Sequence, residues 1–279
     1  MKYAYNPGCT LLSTGKAYDI SLRTVCQSLS IELVDFDNGC CGTSLMAAAT
    51  PYGSTLLCSM NMIKAKEKDL AMVLPCSGCY KNHKLAARQI KSDKVKEVAS
   101  KIGAPIPEVI PDLLSTLDIL SKSEVLEQIE TLSANKLSPL KVACYYGCQL
   151  SKPRFISQFD NPEHPDTMDT ILQKTGAETV KWGYKTECCG SNLTLSRSDI
   201  VESRVNEIME NARQFEAHMI VTCCPICQHN LEQRATENPL PVLYFTELLA
   251  LALGSENAVT ALKYHLRSPI PALKNAGIV

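Results

Sequence analysis

From its first residues the chain alternates short β-prone apolar runs with longer stretches whose apolar positions recur at helical spacing. Residues 2–6 form the first β-prone run. Residues 15–30 follow, with Ala17, Ile20, Leu22, Val25 and Leu29 placed as on one side of a helix. Residues 31–36 predict a strand and 51–68 a helix. Residues 70–74 form an unbroken apolar run of the kind a buried parallel strand shows, and 80–90 predict another helix. The order then returns: strands at 141–145, 178–182 and 219–222, helices at 167–175, 199–215 and 228–235. Strands alternating with helices predict an α/β fold with parallel sheets and helical crossovers, built twice.

Between the two runs, Gly103-Ala104-Pro105-Ile106-Pro107 reads as a break. A helical stretch over 112–133 and a polar stretch over 134–139 come after it. The expected organisation is a first domain at 1–103, a helical linker at 104–139 and a second domain at 140–279. Residues 245–266 read as helix that closes the second domain or packs across both. The greasiest segment, 242–253, is interrupted by Thr246 and Glu247 and is too short to cross a bilayer. No export signal is visible at the start, so a soluble, cytoplasmic protein without a membrane span is expected.

A chain of 279 residues with 45% hydrophobic content has enough apolar surface for two ordinary cores. Its 28 basic and 29 acidic side chains nearly cancel, which argues against a nucleic-acid partner. The 14 cysteines change the picture more, since thiols kept reduced in a cytosol point to metal or redox chemistry and not to a disulfide scaffold.

Ten of those cysteines fall into two copies of one pattern. The first copy is Cys9, then Cys40-Cys41-Gly42, then Cys76-Ser77-Gly78-Cys79. The second is Cys148, then Cys188-Cys189-Gly190, then Cys224-Pro225-Ile226-Cys227. Cys40, Cys41, Cys76 and Cys79 each recur 148 residues later, and Cys9 recurs 139 residues later. A fixed step of that length marks a duplicated domain. Each group directly follows a predicted strand, so the carboxyl ends of parallel strands are expected to gather five thiols at one edge of each half.

Structural zinc takes four ligands from spaced pairs, whereas each half here offers five, two of them adjacent. Adjacent thiolates suit neighbouring metals in an iron–sulfur cluster better than one ion. Zinc in one half, and thiol chemistry without metal, remain the alternatives. Cys26 and Cys58 lie on predicted helices and read as packing residues. Cys144 and Cys223 stand where the other half has Tyr5 and Pro75, and they too read as packing beside the second set.

The two Cys-Cys-Gly boxes, with their flanking single Cys and Cys-x-x-Cys, resemble the CCG-domain family, and the two-copy chain is similar to the B subunits of heterodisulfide reductases. The resemblance spans Cys9 to Cys227. It implies two CCG domains related by pseudo-twofold symmetry, each five-cysteine set holding a non-cubane 4Fe-4S cluster. It also implies reduction of a mixed disulfide (coenzyme M-S-S-coenzyme B or an analogue) lying between the clusters, with Cys41 and Cys189 as the catalytic pair. An anionic substrate tail would be met by Lys16, Lys152 and Arg154, which follow the first ligand of each half. His164 and His83 are candidate proton donors.

The chain carries no bacterial-ferredoxin cysteine run and no Gly-x-Gly-x-x-Gly loop after a strand, so no nucleotide cofactor is expected on it. The resemblance therefore implies partners: a ferredoxin-like iron-sulfur C subunit and a flavin-bearing A subunit. Two rival readings stand beside it. One is an electron-relay subunit of a related oxidoreductase acting on fumarate with thiols, on lactate or on glycolate. The other is a zinc-binding interaction scaffold.

Overall fold

The computed structural model describes residues 1–50, 52–255 and 257–279. Its first sheet contains β1 (Lys2–Tyr5), β2 (Glu32–Asp35), β3 (Met72–Leu74) and β4 (Leu113–Ser115), all parallel, in the order β2-β1-β3-β4. The second contains β5 (Lys141–Tyr145), β6 (Glu178–Thr179), β7 (Met219–Thr222) and β8 (Val242–Tyr244), again parallel, in the order β6-β5-β7-β8. The orders are the same when written half against half, so the α/β class and the duplication expected from the sequence are what the chain adopts. Central strands have water on neither face: Met72, Val73 and Leu74 are fully buried, as are Met219, Ile220 and Val221. That explains why they read as unbroken apolar runs instead of alternating ones.

Three strands depart from the expected pattern. Residues 112–133 read as continuous helix, and 104–139 as a linker, yet Leu113–Ser115 is β4 and completes the first sheet. The helix begins only at Thr116–Leu120 because Ser115 stops the strand. Its hydroxyl accepts from the Asp118 amide at 3.2 Å while the Asp118 carboxylate accepts from the Ser115 amide at 2.7 Å, a capping box. At the matching place in the second half, Val242–Tyr244 is β8, and the Tyr244 amide donates to Glu247 at 2.8 Å to open the Phe245–Ala252 helix. That helix ends before Gly254, whose φ of 71° breaks it, so the tail is not one helix to residue 266. The expected strand at 178–182 forms over only two residues, after which Trp182 turns in and donates from Nε1 to the Cys144 carbonyl at 3.1 Å. In the expected helix at 51–68, Pro51 lies outside the described residues and the helix occupies Gly53–Lys66.

One buried core runs through both halves, from Tyr3 and Leu22 to Leu137, Val142 and Tyr244. The Lys16–Ser28 helix of the first half packs on the Phe245–Ala252 helix of the second. There Ser21 Oγ and Thr246 Oγ1 meet at 2.6 Å, both buried, so two hydroxyls that would be costly alone satisfy one another. Across the same junction the Tyr80 hydroxyl donates to the Ser157 carbonyl at 2.9 Å. The tail thus packs across both halves, and the carboxyl edges of the two sheets are held against each other.

Candidate functional site

Each Cys-x-x-Cys opens a helix immediately after a central strand. Cys76 caps the Ser77–Gln89 helix with extended backbone, and Cys224 caps the Pro225–Arg234 helix in the same way. Pro225 at the first helical position loses nothing, because its missing N–H would have had no intrahelical partner. The second cysteine of each motif lies one turn further on the same helix face, so strand end and helix start together aim two sulfurs at one place.

The paired cysteines reach that place from the loops after β2 and β6. Gly42 and Gly190, with φ of 86° and 79°, turn the chain sharply after each pair, and their amides donate to the sulfurs of Cys40 and Cys188, each at 3.3 Å. The second cysteine of each pair is thereby sent inward: the sulfurs of Cys41 and Cys79 stand 3.3 Å apart, those of Cys189 and Cys227 3.7 Å. Cys9 and Cys148 sit on the short helices after β1 and β5. A Cβ at Gly8 would come within 3.1 Å of the Cys79 sulfur, and one at Gly147 within 2.9 Å of the Cys227 sulfur. The glycines before the first ligands therefore clear room at the last.

The two sets touch. Cys76 and Cys224, from opposite halves, lie close enough to perturb each other's thiol. One cavity of about 270 Å³ is lined by Cys9, Cys41, Cys76 and Cys79 from the first half. Cys148, Cys189, Cys224 and Cys227 line it from the second. Cys40 and Cys188 are exposed beside it.

Hydrogen bonding sorts the thiols. The Cys79 S–H and the Asn82 amide hold Cys41 down at about 6. Cys148, the Gly190 amide and the nearby Arg204 guanidinium bring Cys188 to about 6. Cys227 lowers Cys189 likewise, and Cys227 with Cys76 lowers Cys224, while the donating partners Cys79, Cys148 and Cys227 are pushed up. Cys40 and Cys76 are raised as well, so the lowered thiols are Cys41 in the first set and Cys188, Cys189 and Cys224 in the second.

Sequence reasoning missed Asn82 and Asn230, although they obey the same 148-residue step. Asn230 Nδ2 donates to the Cys189 carbonyl at 2.7 Å, and Asn82 Nδ2 reaches the Cys41 carbonyl at 3.5 Å. Each holds the loop that carries a paired cysteine. The signal was there in the repeat, one turn past each Cys-x-x-Cys, but an Asn in a helix carries no chemistry of its own to draw notice.

The expected substrate-binding residues are placed elsewhere. Lys16 is exposed at the head of its helix, Lys152 pairs with Glu163 at 3.0 Å, Arg154 is exposed beside Phe155, and the His164 ring is exposed. None of the four lines the cavity among the described residues. Position along the chain after the first ligand was a poor guide, because short helices at Cys148–Ser151 and Arg154–Ser157 carry the chain away. His83 is wholly buried; its Nδ1–H donates to the Cys79 carbonyl at 2.8 Å, and burial pulls it down to about 4, so it is neutral and structural. The four remaining cysteines are buried, and burial pushes their thiols up, Cys26 to about 12.

Ten soft thiols in two sets of five, with glycine clearance at both, match the donor set of iron–sulfur chemistry. Asn6, between β1 and Cys9, is buried and its Nδ2 has no acceptor among the described residues, which leaves an N–H to spare beside the first set. Among the described residues no three His, Cys, Asp or Glu side chains converge as a single-ion site would have them. Five thiols in each set, two of them adjacent, exceed the four donors that one zinc takes.

The chain is similar to several known proteins. The family model for the cysteine-rich domain CCG matches residues 3–83 and 142–232. The 8-methylmenaquinol:fumarate reductase membrane anchor subunit of Wolinella succinogenes is 26% identical over 266 residues, 91% of this chain and 92% of that protein. The B subunit of the ferredoxin/F(420)H(2)-dependent CoB-CoM heterodisulfide reductase of Methanosarcina acetivorans is 26% identical over 267 residues, 88% of this chain and 87% of that one. An Archaeoglobus profundus protein named for its likeness to the B subunit of heterodisulfide reductase is 26% identical over 273 residues, 91% of each. A hypothetical protein from Helicobacter pylori has the same fold, with a TM-score of 0.69 at 11% identity. It covers 95% of this chain, which spans about half (51%) of that protein. No helix among the described residues is long and apolar enough to cross a membrane.

Proposed function

The chain belongs to the CCG cysteine-rich domain family, and from that premise we propose that it is the disulfide-reducing subunit of a heterodisulfide-reductase-type complex. The observation that carries this reading is the single cavity walled by both thiol sets. A disulfide has two sulfurs to hold and two electrons to receive, and a cavity with one sulfur set on each side meets both needs.

Cys9, Cys40, Cys41, Cys76 and Cys79 would hold one non-cubane 4Fe-4S cluster, and Cys148, Cys188, Cys189, Cys224 and Cys227 the other. When bound, such clusters supply single electrons and thiophilic iron. The chain's own contribution is to bring the two sets within one cavity and to hold Cys41 and Cys189 inward through Asn82 and Asn230. The S–S bond breaks, two electrons arrive from a reduced iron–sulfur donor, and two protons from solvent complete two thiols. The donors would be a ferredoxin-like C subunit and, behind it, a flavin-bearing A subunit. The names of the Methanosarcina and Archaeoglobus relatives support this reading.

Anaerobically purified protein is expected to be brown, to contain iron and acid-labile sulfide, and to reduce a mixed disulfide with reduced methyl viologen. Cys41→Ala and Cys189→Ala should each abolish turnover; full turnover in either would sink the assignment. The similarity to the Wolinella anchor protein favours a second reading, an electron relay in a related reductase. A brown protein with intact redox-active iron but no disulfide turnover would favour the relay, and a colourless zinc protein the scaffold.

A further inference from the structure

The two thiol sets match in sulfur but not in what holds their loops. In the second half, the loop carrying Cys188 and Cys189 is tied to the loop carrying Cys148: the Lys185 carbonyl accepts from the Tyr146 and Gly147 amides, at 2.8 and 3.1 Å. The Lys185 side chain fastens the same place. Its Nζ donates to Asp169 Oδ1 at 2.8 Å and to the Pro165 carbonyl at 3.1 Å, and lies 5.9 Å from the centre of the Tyr146 ring. The Tyr146 hydroxyl donates to Asp169 Oδ2 at 2.7 Å and accepts from the Met168 amide at 2.7 Å. Tyr146 and Asp169 are buried, and the Lys185 side chain is only 13% exposed. A buried ion pair with these further bonds keeps one geometry, because any other leaves a charge uncompensated away from water.

The first half cannot make this tie. Two residues before its first ligand, where the second half has Tyr146, stands Pro7, which has no N–H to give. The residue matching Lys185 is Asp37, an exposed carboxylate paired with Lys64. The Gly8 amide turns to Asn6 Oδ1 of its own loop, at 3.1 Å. The loop carrying Cys40 and Cys41 is held from the Gly53–Lys66 helix: Asn61 bonds the amide and the carbonyl of Gly39 at 2.7 and 3.0 Å, and Ser54 Oγ donates to the Cys41 carbonyl at 2.7 Å. Among the described residues no backbone hydrogen bond joins residues 36–42 to residues 6–9. Cys9 is accordingly exposed where Cys148 is half-buried.

We propose that Lys185, with Asp169 and Tyr146, is a positioning clamp that gathers the second thiol set in advance of its iron, so that the protein fills and keeps the second site before the first. Ligands already in place lose little freedom when metal binds. A loop that must be ordered at that moment weakens the binding by the cost of ordering it. The first set therefore loads last and empties first. This rests on the iron–sulfur part of the reading above, and it adds to that reading an order of loading and a half-loaded state of the chain.

The test titrates the full chain with ferrous iron and sulfide under argon, then alkylates with iodoacetamide and reads the ten cysteines separately by peptide mass spectrometry. A sulfur on iron is shielded, and each rate is scaled between its iron-free and fully loaded values. The parent protein is expected to fill Cys148, Cys188 and Cys189 with about tenfold higher affinity than Cys9, Cys40 and Cys41, the equivalent of about 1.4 kcal/mol. A chelator added to the loaded protein should strip the first set first. The double variant Lys185→Met, Asp169→Asn leaves no buried charge unpaired, and it should bring the two affinities within about twofold by weakening the second site alone. Equal affinities in the parent, a tenfold difference that survives in the double variant, or an equal loss at both sites overturns the proposal. Amide exchange in the iron-free chain, read by NMR, separates the two levels. If the protein takes up no iron, the cofactor reading fails, while Gly147 exchanging about tenfold more slowly than Gly8, and losing that lead in the double variant, still supports the clamp. Equal exchange in the parent, or a lead unchanged by the double variant, overturns it.

Discussion

The rings of Tyr18 and Tyr244, from opposite halves of the chain, stack with centroids 4.6 Å apart and planes 12° from parallel. Cys76, Cys223 and Cys224 lie close enough to raise the Tyr18 phenol further, after burial, so the stack stands beside the place where the two thiol sets meet. The Tyr18 hydroxyl is satisfied by Thr116 Oγ1 at 2.7 Å, which ties the same ring to the helix after β4.

Removing either ring should loosen the junction. Tyr18→Ala is expected to cost about 4 kcal/mol, from lost burial and an unfilled cavity, whereas Tyr18→Phe should cost about 1 kcal/mol, from the unpaired Thr116 hydroxyl. Urea unfolding checks both. Equal destabilisation by the two substitutions would show that the stack itself contributes little.

Gly147 and Gly103 offer a controlled comparison, because both have positive φ, 66° and 67°. At Gly147 ψ is −176°, a conformation nearly confined to glycine, and a Cβ would meet the Cys227 sulfur at 2.9 Å. Around Gly103, with ψ of 24°, nothing lies within 4 Å. Gly103→Ala should therefore cost only the left-handed penalty, about 1 kcal/mol, and keep full iron. Gly147→Ala should lose about half the iron per chain, measured colorimetrically after anaerobic reconstitution, by disturbing the second set alone. Full iron in Gly147→Ala would refute the assigned role of that clearance.

Much of this was legible before any coordinates. The ten cysteines announced themselves because the repeat fixes both residue type and spacing, and β3 and β7 because fully buried strands must be apolar throughout. What stayed hidden depended on contacts distant in sequence. Leu113–Ser115 is too short to show a period of two, and only its pairing with Met72–Leu74 makes it a strand. The cations after Cys9 and Cys148 seemed well placed by chain order, yet the helix after β3 carries Lys81 to the cavity instead. The shared core could not be read from halves that each look complete.

Asn230 and Asn82 should differ in importance despite their equivalence in the repeat. The buried Asn230 amide donates to the Cys189 carbonyl at 2.7 Å, while Asn82 reaches Cys41 at 3.5 Å, near the limit of a useful bond. Asn230→Ala is expected to cost about 2 kcal/mol and Asn82→Ala less than about 1 kcal/mol. Thermal unfolding of the two variants under argon gives the comparison, and the reverse order would contradict the geometry.

The last prediction concerns a charge network away from the cavity. His265 is enclosed by Glu232, whose Oε1 is 3.1 Å from Nδ1, and by Glu247, whose Oε1 is 2.9 Å from Nε2, with the Gln228 amide at 3.1 Å and the Tyr244 ring tilted alongside. Burial opposes the imidazolium, but the two carboxylates outweigh it and raise His265 from 6.5 to about 10. Glu232 is lowered, because its bonds to His265 and to the amides of Arg267 and Leu266 outweigh burial. A histidine raised on folding stabilises fully below its unfolded value near 6.5, and that contribution fades as pH rises through about 10. The lowered Glu232 contributes above its ordinary value of 4.5 and loses that contribution in more acidic solution. Cysteines also titrate in the alkaline range, so the informative quantity is the difference between the parent and His265→Gln. It should be about 3 kcal/mol near pH 7, because the substitution leaves two buried carboxylates uncompensated, and it should shrink steadily as pH rises from ~7 to ~10, where the unfolded histidine is neutral and only the folded one holds the proton. A difference constant from pH 6 to 10 would mean that His265 is neutral and acts only through packing.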